Sequence, residues 1–228
     1  TKYLSFDGTD DKAEFTVDQS FITAIAGEEV IGNTISFSFW IKPTWTTSGS
    51  YSTSGFAPRR VNFFYLGKDD NNHESVQGYY QLTNSSGVAQ NRLWSELRSS
   101  TGGNKKQNEG TYLNSNNSIT GTGTNQTDSW KSTNPSGEGW VHIVMTREAS
   151  SNSGDWSQWW NGQALTEGDS DTPALNIDND IERVLTFGYK PVDGGFHKYG
   201  VRDFAIFSTE LTSGNVTTLY NSGVFFDV

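Results

Sequence analysis

Apolar and polar residues alternate along several short stretches of the chain. In the segment TISFSFWIKP, every second residue from Ile35 to Ile41 is apolar, and serines and Trp40 occupy the positions between them. A period of two is typical of a β-strand that turns one face toward a core. Pro43 ends the run, because proline cannot donate to a strand ladder. The segment is therefore predicted to form a strand.

Further segments show a similar pattern and are separated by turn-forming clusters of Gly, Asn, Asp and Ser. Helix signals are scarce, but LTSGNVTTLYNSG is predicted to contain one short helical turn, with Thr212 or Ser213 as its N-cap and Gly223 at its end. This combination predicts an all-β fold, a two-sheet antiparallel β-sandwich. The additional predicted strands are 61–67, 78–83, 92–99, 139–148, 183–189 and 200–208.

Two segments are polar and rich in Gly and Ser, namely 46–60 and 99–137. Loops longer than about 12–15 residues without secondary structure are uncommon unless they are functional or mobile. We therefore interpret 99–137 as an elaborated loop insertion that contains a short hairpin near 110–120. Because neither a linker nor a repeat is evident, residues 1–228 are interpreted as a single domain.

The composition is compatible with a folded domain that needs no disulfide bonds. Only 33% of the residues are hydrophobic, but 14% are aromatic. A few large side chains can still fill a core, because each aromatic buries roughly 150–250 Å². The chain has no cysteine, which excludes a disulfide framework and a thiol nucleophile.

The net charge of the chain limits the kinds of molecule that it is expected to bind. The formal net charge is −10, which repels a phosphate backbone and argues against nucleic-acid binding. No apolar run approaches the roughly 18 residues of a transmembrane helix, so no membrane insertion is expected. The chain begins with Thr1 rather than Met, and we interpret it as a covalent part of a larger protein.

Five segments occur in an order and at a spacing that resemble a known superfamily. They are YLSFDGTDDKAEF, ISFSFWIKP, WVHIVMTRE, WWNGQAL and GVRDFAIFSTELTSGNVTTLYNSG. From about Tyr3 to Gly223, the set resembles the laminin G-like jelly rolls of the concanavalin A-like lectin/glucanase superfamily. The resemblance implies two antiparallel sheets whose terminal strands pair. It also implies a glycan- or protein-binding module of an extracellular, cell-surface or virion protein, although the superfamily includes glucanases as well.

The segment GDWSQWWNGQAL is predicted to form a hairpin whose Asn-Gly pair makes a type I′ turn. In the strand before the turn, Trp156 and Trp160 share one face and Trp159 lies on the other, so the three indoles do not form one platform. Trp159 is assigned to structural packing, as are Trp40 and Trp140 in their apolar strands. For Trp156 and Trp160, both a core position and an exposed contact remain open.

Aromatic residues in or beside polar loops have less core to pack into and are candidates for ligand stacking. Tyr79 and Tyr80 point to opposite faces of a strand, so only one of them can join such a surface. Arg59 is a candidate for contact with a ligand carboxylate. The predicted ligand-binding residues are Trp45, Trp94, Trp130, Trp156, Tyr79 and Arg59.

No catalytic constellation is found in the sequence. Glucanases of the superfamily resemble one another in a strand with Glu-x-Asp-x-Glu or Glu-x-Asp-x-x-Glu, and the nearest match here is Glu167, Asp169 and Asp171 in EGDSD. It ends in Asp and has Gly and Ser between its acids, so we interpret it as a solvated loop. His142, in the strand WVHIVM, is interpreted as structural. A Ser/His/Asp triad assembled in space remains an alternative, but the prediction is a protein that is not an enzyme.

The resemblance also implies a calcium site where the first strand meets the last. Asp7 and Asp203 are weak candidates for its ligands. Arg202 stands where relatives carry the first acid, so we expect it to form an ion pair with Asp7 or a neighbour in place of the metal. No cofactor is required under this hypothesis, and bound Ca²⁺ is the alternative.

The leading functional prediction is a non-catalytic module that binds glycan, using aromatic rings for stacking and Asn, Asp and Gln side chains for sugar hydroxyls. The first alternative is a structural or protein-interaction domain without sugar affinity, such as a decoration on a phage fibre or capsid. The second is a glycoside hydrolase of divergent sequence. The sequence leaves the oligomeric state open.

Overall fold

The computed structural model describes separate segments of the chain. The described residues are 2–17, 34–43, 60–67, 75–83, 89–98, 105–110, 139–147, 156–165, 183–191 and 195–221. Their strands are β1 (Leu4–Asp7), β2 (Ala13–Val17), β3 (Ile35–Pro43), β4 (Arg60–Gly67), β5 (Ser75–Thr83), β6 (Ala89–Arg98), β7 (Lys105–Gly110), β8 (Val141–Arg147), β9 (Trp156–Trp160), β10 (Gln163–Ala164), β11 (Arg183–Phe187), β12 (Tyr189–Lys190), β13 (Gly195–Phe196) and β14 (Lys198–Phe207).

The strands form two six-stranded antiparallel sheets and a small two-stranded one. Sheet 1 has the order β1-β14-β3-β8-β9-β10, and sheet 2 has the order β2-β11-β4-β5-β6-β7. The first and last strands are neighbours, with Leu4 opposite Val201 and Asp7 opposite Lys198. The predicted antiparallel β-sandwich and the expected pairing of its terminal strands are therefore confirmed.

The core lies between the two sheets and is mainly aromatic and aliphatic. In β3, the alternating apolar residues from Ile35 to Ile41 are at most 1% exposed, which confirms the predicted inward face. Phe37 of sheet 1 stacks on Phe64 of sheet 2 with 4.5 Å between ring centroids. Such contacts explain how a chain with few apolar residues closes a core, since each aromatic ring buries a large area.

The structure assigns the indoles that the sequence left open. Trp156 and Trp160 belong to the core between the sheets and are 2% and 5% exposed. Trp159 lies on the opposite face of β9, and Trp40 and Trp140 are buried as well. The core position was the correct alternative for Trp156, because β9 is an interior strand of sheet 1 and its inner face meets sheet 2.

A helix, α1 (Ser213–Tyr220), closes the outer face of sheet 1. Thr212 is its N-cap and forms a capping box with Asn215, and the helix ends at Asn221 in the left-handed conformation. It is longer than the single predicted turn. The second, smaller core beneath it contains Val144, Trp159, Leu211 and Val216. No helix among the described residues has both the length and the apolarity to cross a membrane.

Local turn chemistry behaves as predicted. Asn161 and Gly162 both have positive φ, 50° and 77°, which is the requirement of a type I′ turn. They connect β9 to β10, with Trp160 opposite Gln163. The predicted hairpin is thus confirmed.

Other strand predictions are correct to within a few residues for β4, β5, β6, β8, β11 and β14. The alternation did not reveal β1, β2, β12, β13 or β7, and β7 lies inside the predicted insertion 99–137. These missed strands are short or polar, so a period of two is hard to detect in them. The hairpin predicted near 110–120 lies outside the described residues.

A buried tyrosine connects the two sheets. The hydroxyl of Tyr199, on β14, accepts a hydrogen bond from the backbone N–H of Gly188 at 2.8 Å. It donates to the carbonyl of Phe63, on β4, at 2.7 Å. Burial raises the pKa of the Tyr199 phenol above its usual range, so the hydroxyl stays protonated and can donate.

Candidate functional site

Polar and aromatic side chains form a first row across the outer face of sheet 2. Thr186 lies opposite Tyr65, Tyr65 opposite Gln77, and Gln77 opposite Glu96, on four neighbouring strands. Directly opposed residues of an antiparallel ladder point to the same face. The four side chains therefore form one continuous line.

A second row lies beside the first and contains Asn62, Tyr79 and Trp94, which are also directly opposed. Neighbouring side chains on these strands, such as Tyr80 and Leu93, belong to the core between the sheets. Since alternate residues of a strand point to opposite faces, both rows point away from that core. We call the two rows the outer-face cluster, which consists of Asn62, Tyr65, Gln77, Tyr79, Trp94, Glu96 and Thr186.

Hydrogen bonds connect four members of the outer-face cluster. The Asn62 amide donates to Gln77 at 2.8 Å, and the Gln77 amide donates to one oxygen of Glu96 at 2.7 Å. The Tyr79 hydroxyl donates to the other oxygen of Glu96 at 3.0 Å. Both carboxylate oxygens are thus engaged. These bonds fix the orientation of the two amides, because in each of them the nitrogen donates to an acceptor oxygen.

Next to this chain, two aromatic rings lie parallel. The ring centroids of Tyr79 and Trp94 are 5.8 Å apart, and their planes differ by 8°. This geometry is an offset stack, which the quadrupoles of aromatic rings favour. The stack keeps the indole of Trp94 in one orientation beside the Glu96 carboxylate.

Two polar atoms of the outer-face cluster are buried without a hydrogen-bond partner, namely Thr186 Oγ1 and Trp94 Nε1. They lie on strands three positions apart, roughly 14 Å at about 4.8 Å per strand. A buried donor without a partner costs about 1–3 kcal/mol. In native proteins a bound water or ion is one explanation for such a group.

The outer-face cluster is nearly closed to solvent. Its members are at most 2% exposed, except Trp94 at 9%. Trp94 was expected to lie exposed beside a polar loop, and that expectation is wrong. It lies within β6, an interior strand of sheet 2, and its indole stacks on the Tyr79 ring.

The structure brings together two of the predicted ligand-binding residues, Tyr79 and Trp94. Trp156 is separated from them, because it lies in the core and belongs to sheet 1. The remaining candidates fall outside the described residues, and their roles stay predictions. These candidates are Trp45, Trp130 and Arg59.

Sequence reasoning missed five members of the outer-face cluster. A signal was present, because Gln77 precedes Tyr79 by two positions and Trp94 precedes Glu96 by two. Residues at this spacing share a strand face. What the alternation could not reveal was the register that places these two pairs side by side. The other missed members are Asn62, Tyr65 and Thr186.

A group of carboxylates lies at the end of β1. Asp7, Asp10 and Asp11 are exposed, and each has a carboxylate oxygen within 4.8 Å of the others. Asp7 accepts a hydrogen bond from the backbone N–H of Thr9 at 2.7 Å. Carboxylate oxygens suit a hard cation such as Ca²⁺, so the group fits the calcium prediction, which stays a prediction.

The expected ion pair between Arg202 and Asp7 is wrong. Arg202 Nε lies 2.9 Å from Asp203 Oδ2 instead. Asp7 is opposite Lys198, so Arg202 lies four residues farther along β14, roughly 13 Å at about 3.3 Å per residue. A bulge after Arg202 gives Asp203 a positive φ of 51°, so the two adjacent side chains reach each other. The two metal candidates, Asp7 and Asp203, therefore do not share one site.

A serine and a histidine lie within hydrogen-bond distance of each other on sheet 1. Ser38 Oγ lies 2.9 Å from His142 Nε2, and His142 Nδ1 is buried without a partner. A catalytic triad needs an acid at that second nitrogen. Burial lowers the pKa of His142 to about 4, and the ring packs against Trp40 and Tyr220. The structural role predicted for this histidine is confirmed.

The chain is similar to known proteins in its three-dimensional structure. No protein-family model matches the chain, and no curated protein sequence matches it. Among solved structures, the chain is similar to a botulinum neurotoxin serotype D ligand-binding domain in complex with N-acetylneuraminic acid. The TM-score is 0.53 and the identity 16%, over 95% of this chain and 41% of the other.

Two further structures show the same level of similarity. A binding domain of botulinum neurotoxin DC in complex with SialylT has a TM-score of 0.57 at 16% identity, covering 98% of this chain and 42% of the other. The same toxin's binding domain in complex with rat synaptotagmin II has a TM-score of 0.56 at 15% identity, covering 98% and 43%. The chain therefore shares a β-sandwich fold with these binding domains. It spans about two fifths of the length of their chains.

Proposed function

We propose that this chain is a non-catalytic carbohydrate-binding module, a jelly roll of the concanavalin A-like, laminin G-like type. In this proposal the glycan binds at the outer-face cluster. The observation that carries the proposal is the parallel Tyr79–Trp94 pair beside the hydrogen-bonded Glu96 carboxylate, with the indole N–H of Trp94 left without an acceptor.

The chemistry of the cluster suits a sugar. A pyranose ring has an apolar face that packs on an aromatic ring and hydroxyls that need donors and acceptors at fixed positions. The Trp94 N–H supplies a donor, and the Glu96 carboxylate, held by Gln77 and Tyr79, places negative charge beside it. A sugar hydroxyl next to Trp94 would accept from Nε1 and remove the cost of an unpartnered donor.

Access to the cluster lies at Trp94, its most exposed member at 9%. The other members are closed to solvent, so binding requires a local opening on that side. Association that depends on a conformational change is slower than docking to an open surface. We therefore expect slow association kinetics for the glycan.

Within its own row across sheet 2, Glu96 has no second acid at the spacing that glycoside hydrolysis uses. The second acid in this row with a described side chain is Glu14 on β2, which lies opposite Thr186. Four strand spacings separate Glu14 from Glu96, roughly 19 Å at about 4.8 Å each. Both types of glycosidase need two carboxyl groups less than about 10 Å apart.

The structural neighbours support the general class of ligand. One of them is in complex with N-acetylneuraminic acid, and for another, botulinum neurotoxin type C, cell entry depends on interaction with two ganglioside molecules. This chain spans about two fifths of those chains, so the particular sugars are not transferred to it. An extracellular or surface location, as part of a larger protein, belongs to the same proposal.

The proposal is tested by screening the protein on a glycan array and titrating any glycan bound, with association rates measured by surface plasmon resonance. Trp94→Phe keeps a stacked ring but removes the N–H and is expected to raise Kd up to about tenfold. Trp94→Ala is expected to abolish binding.

The matched control is Trp159→Phe, because Trp159 is buried to a similar degree, 8%, on the outer face of the other sheet. It should leave Kd unchanged. An array without any bound glycan, or equal affinity in folded Trp94→Ala, would contradict the proposal and favour a structural or protein-interaction domain.

A further inference from the structure

The large apolar side chains that are exposed lie together. Among the described residues they are Tyr3, Leu4 and Phe15, at 47%, 45% and 51% exposed. Scattered apolar side chains on a surface are ordinary. These three side chains instead line a single cleft of about 490 Å³. Their exposure therefore forms one apolar surface that a ligand could contact.

The cleft opens between the edges of the two sheets. Leu4 belongs to β1, the edge strand of sheet 1, and Phe15 belongs to β2, the edge strand of sheet 2. Deeper in the cleft lie Leu185, Phe187 and Val201, which are members of the core. An apolar group that binds here would therefore pack against the core. Its apolar surface would be removed from water, which is favourable.

Charged residues line the same cleft, namely Lys2, Arg202 and Asp203. Arg202 and Asp203 neutralise each other through their ion pair at 2.9 Å. Lys2 is exposed and has no ion-pair partner among the described residues. One positive charge thus remains at an apolar cleft of a protein whose formal net charge is −10.

We propose that this cleft binds a single-chain anionic amphiphile, such as a free fatty acid. The apolar tail packs on Leu185, Phe187 and Val201 between the rims formed by Leu4 and Phe15. The carboxylate lies near Lys2. The volume of about 490 Å³ falls in the range of small-ligand sites, about 300–1,000 Å³, and the lysine supplies the charge that selects an anion.

The test is isothermal titration of the protein with decanoate below its micellar concentration, with decyltrimethylammonium as the cation of equal tail length. Decanoate is expected to bind with one-to-one stoichiometry and more tightly than the cation. Leu4→Asn and Phe15→Asn are each expected to raise its Kd about tenfold, because each removes apolar contact area. Both side chains are about half exposed, so the variants should fold.

The charge is tested separately. Lys2→Gln is expected to raise the Kd of decanoate about three- to tenfold and leave that of decyltrimethylammonium unchanged or lower. The control is Lys198→Gln, the same change at an exposed lysine of β14 that does not line the cleft, and it should have no effect.

Three results would overturn the proposal. One is that neither amphiphile binds, and another is that decanoate binds no more tightly than the cation. The third is concentration-dependent dimerisation that Phe15→Asn abolishes, which would show that a second copy of the chain covers the cleft. Circular dichroism of each variant separates loss of binding from loss of fold.

Discussion

The phenol ring of Tyr79 lies parallel to the indole of Trp94, with 5.8 Å between ring centroids and 8° between planes. The two residues are directly opposed on β5 and β6, and an aromatic pair in this arrangement contributes about 0.5–1.5 kcal/mol beyond its burial. The same pair forms one side of the outer-face cluster. The stack holds both rings in one orientation on the outer face of sheet 2.

The first prediction concerns Glu96, which accepts hydrogen bonds from Gln77 and Tyr79. Glu96→Ala leaves both donors buried without this acceptor and is expected to lower the free energy of unfolding by about 2–4 kcal/mol. Glu96→Gln keeps an acceptor for Gln77 and can donate to the Tyr79 oxygen, so it should cost less than half as much. Urea denaturation measures both. Equal losses in the two variants would mean that these hydrogen bonds contribute little.

The second prediction concerns the connection between the sheets. Tyr199→Phe removes the hydroxyl that accepts from Gly188 and donates to Phe63. Both backbone groups then lose a partner in a buried site, and the free energy of unfolding should fall by about 1–3 kcal/mol. Tyr3→Phe makes the same change at a ring that is 47% exposed and should alter stability by less than about 0.5 kcal/mol. A Tyr199→Phe variant as stable as the Tyr3→Phe control would refute the role of the hydroxyl.

The third prediction concerns Gly188, which has a positive φ of 75°. A Cβ at this position would lie 2.7 Å from the carbonyl oxygen of Asp11 and would press into the Phe6 ring. Gly188→Ala is therefore expected to destabilise the protein by about 2 kcal/mol or more, as both backbone strain and a clash are involved.

The control for Gly188→Ala is Gly195→Ala. At Gly195 a Cβ meets nothing closer than 3.9 Å, so the substitution should be close to neutral. Thermal unfolding followed by circular dichroism compares the two variants. Similar melting temperatures for both would show that the close approach at Gly188 relaxes without cost.

The fourth prediction concerns pH. Burial lowers the pKa of His142 from its usual 6.5 to about 4, and the ring is 1% exposed. A group whose pKa is lower in the folded state binds its proton more readily in the unfolded state. Its contribution to stability is thus fully present above pH 6.5 and is lost as the pH falls toward about 4. The loss amounts to about 3 kcal/mol at most.

His142→Gln removes this titration and keeps a polar group next to Ser38. The difference in free energy of unfolding between wild type and variant should therefore shrink steadily over the interval from pH 6.5 to about 4. Taking the difference cancels the titration of carboxylates that both proteins share. A difference that stays constant across the interval would mean that the folded state accepts the proton without penalty.

Local sequence determined much of the architecture. The alternation from Ile35 to Ile41 identified the inner face of β3, and Asn161 with Gly162 identified a type I′ turn. Thr212 was a correct N-cap candidate for α1. Each of these features depends on residues close together in the chain, where the periodicity of a strand or the φ preference of a turn acts directly.

Tertiary structure decided the rest, because pairing between strands distant in the chain sets which side chains meet. Only the register of β4, β5 and β6 places Gln77 beside Glu96 and Tyr79 beside Trp94. Likewise, only the register of β1 with β14 shows that Arg202 is too far along the strand to reach Asp7. Strand alternation predicts the face of a residue but not its neighbour, since a shift of two residues preserves every face and changes every contact.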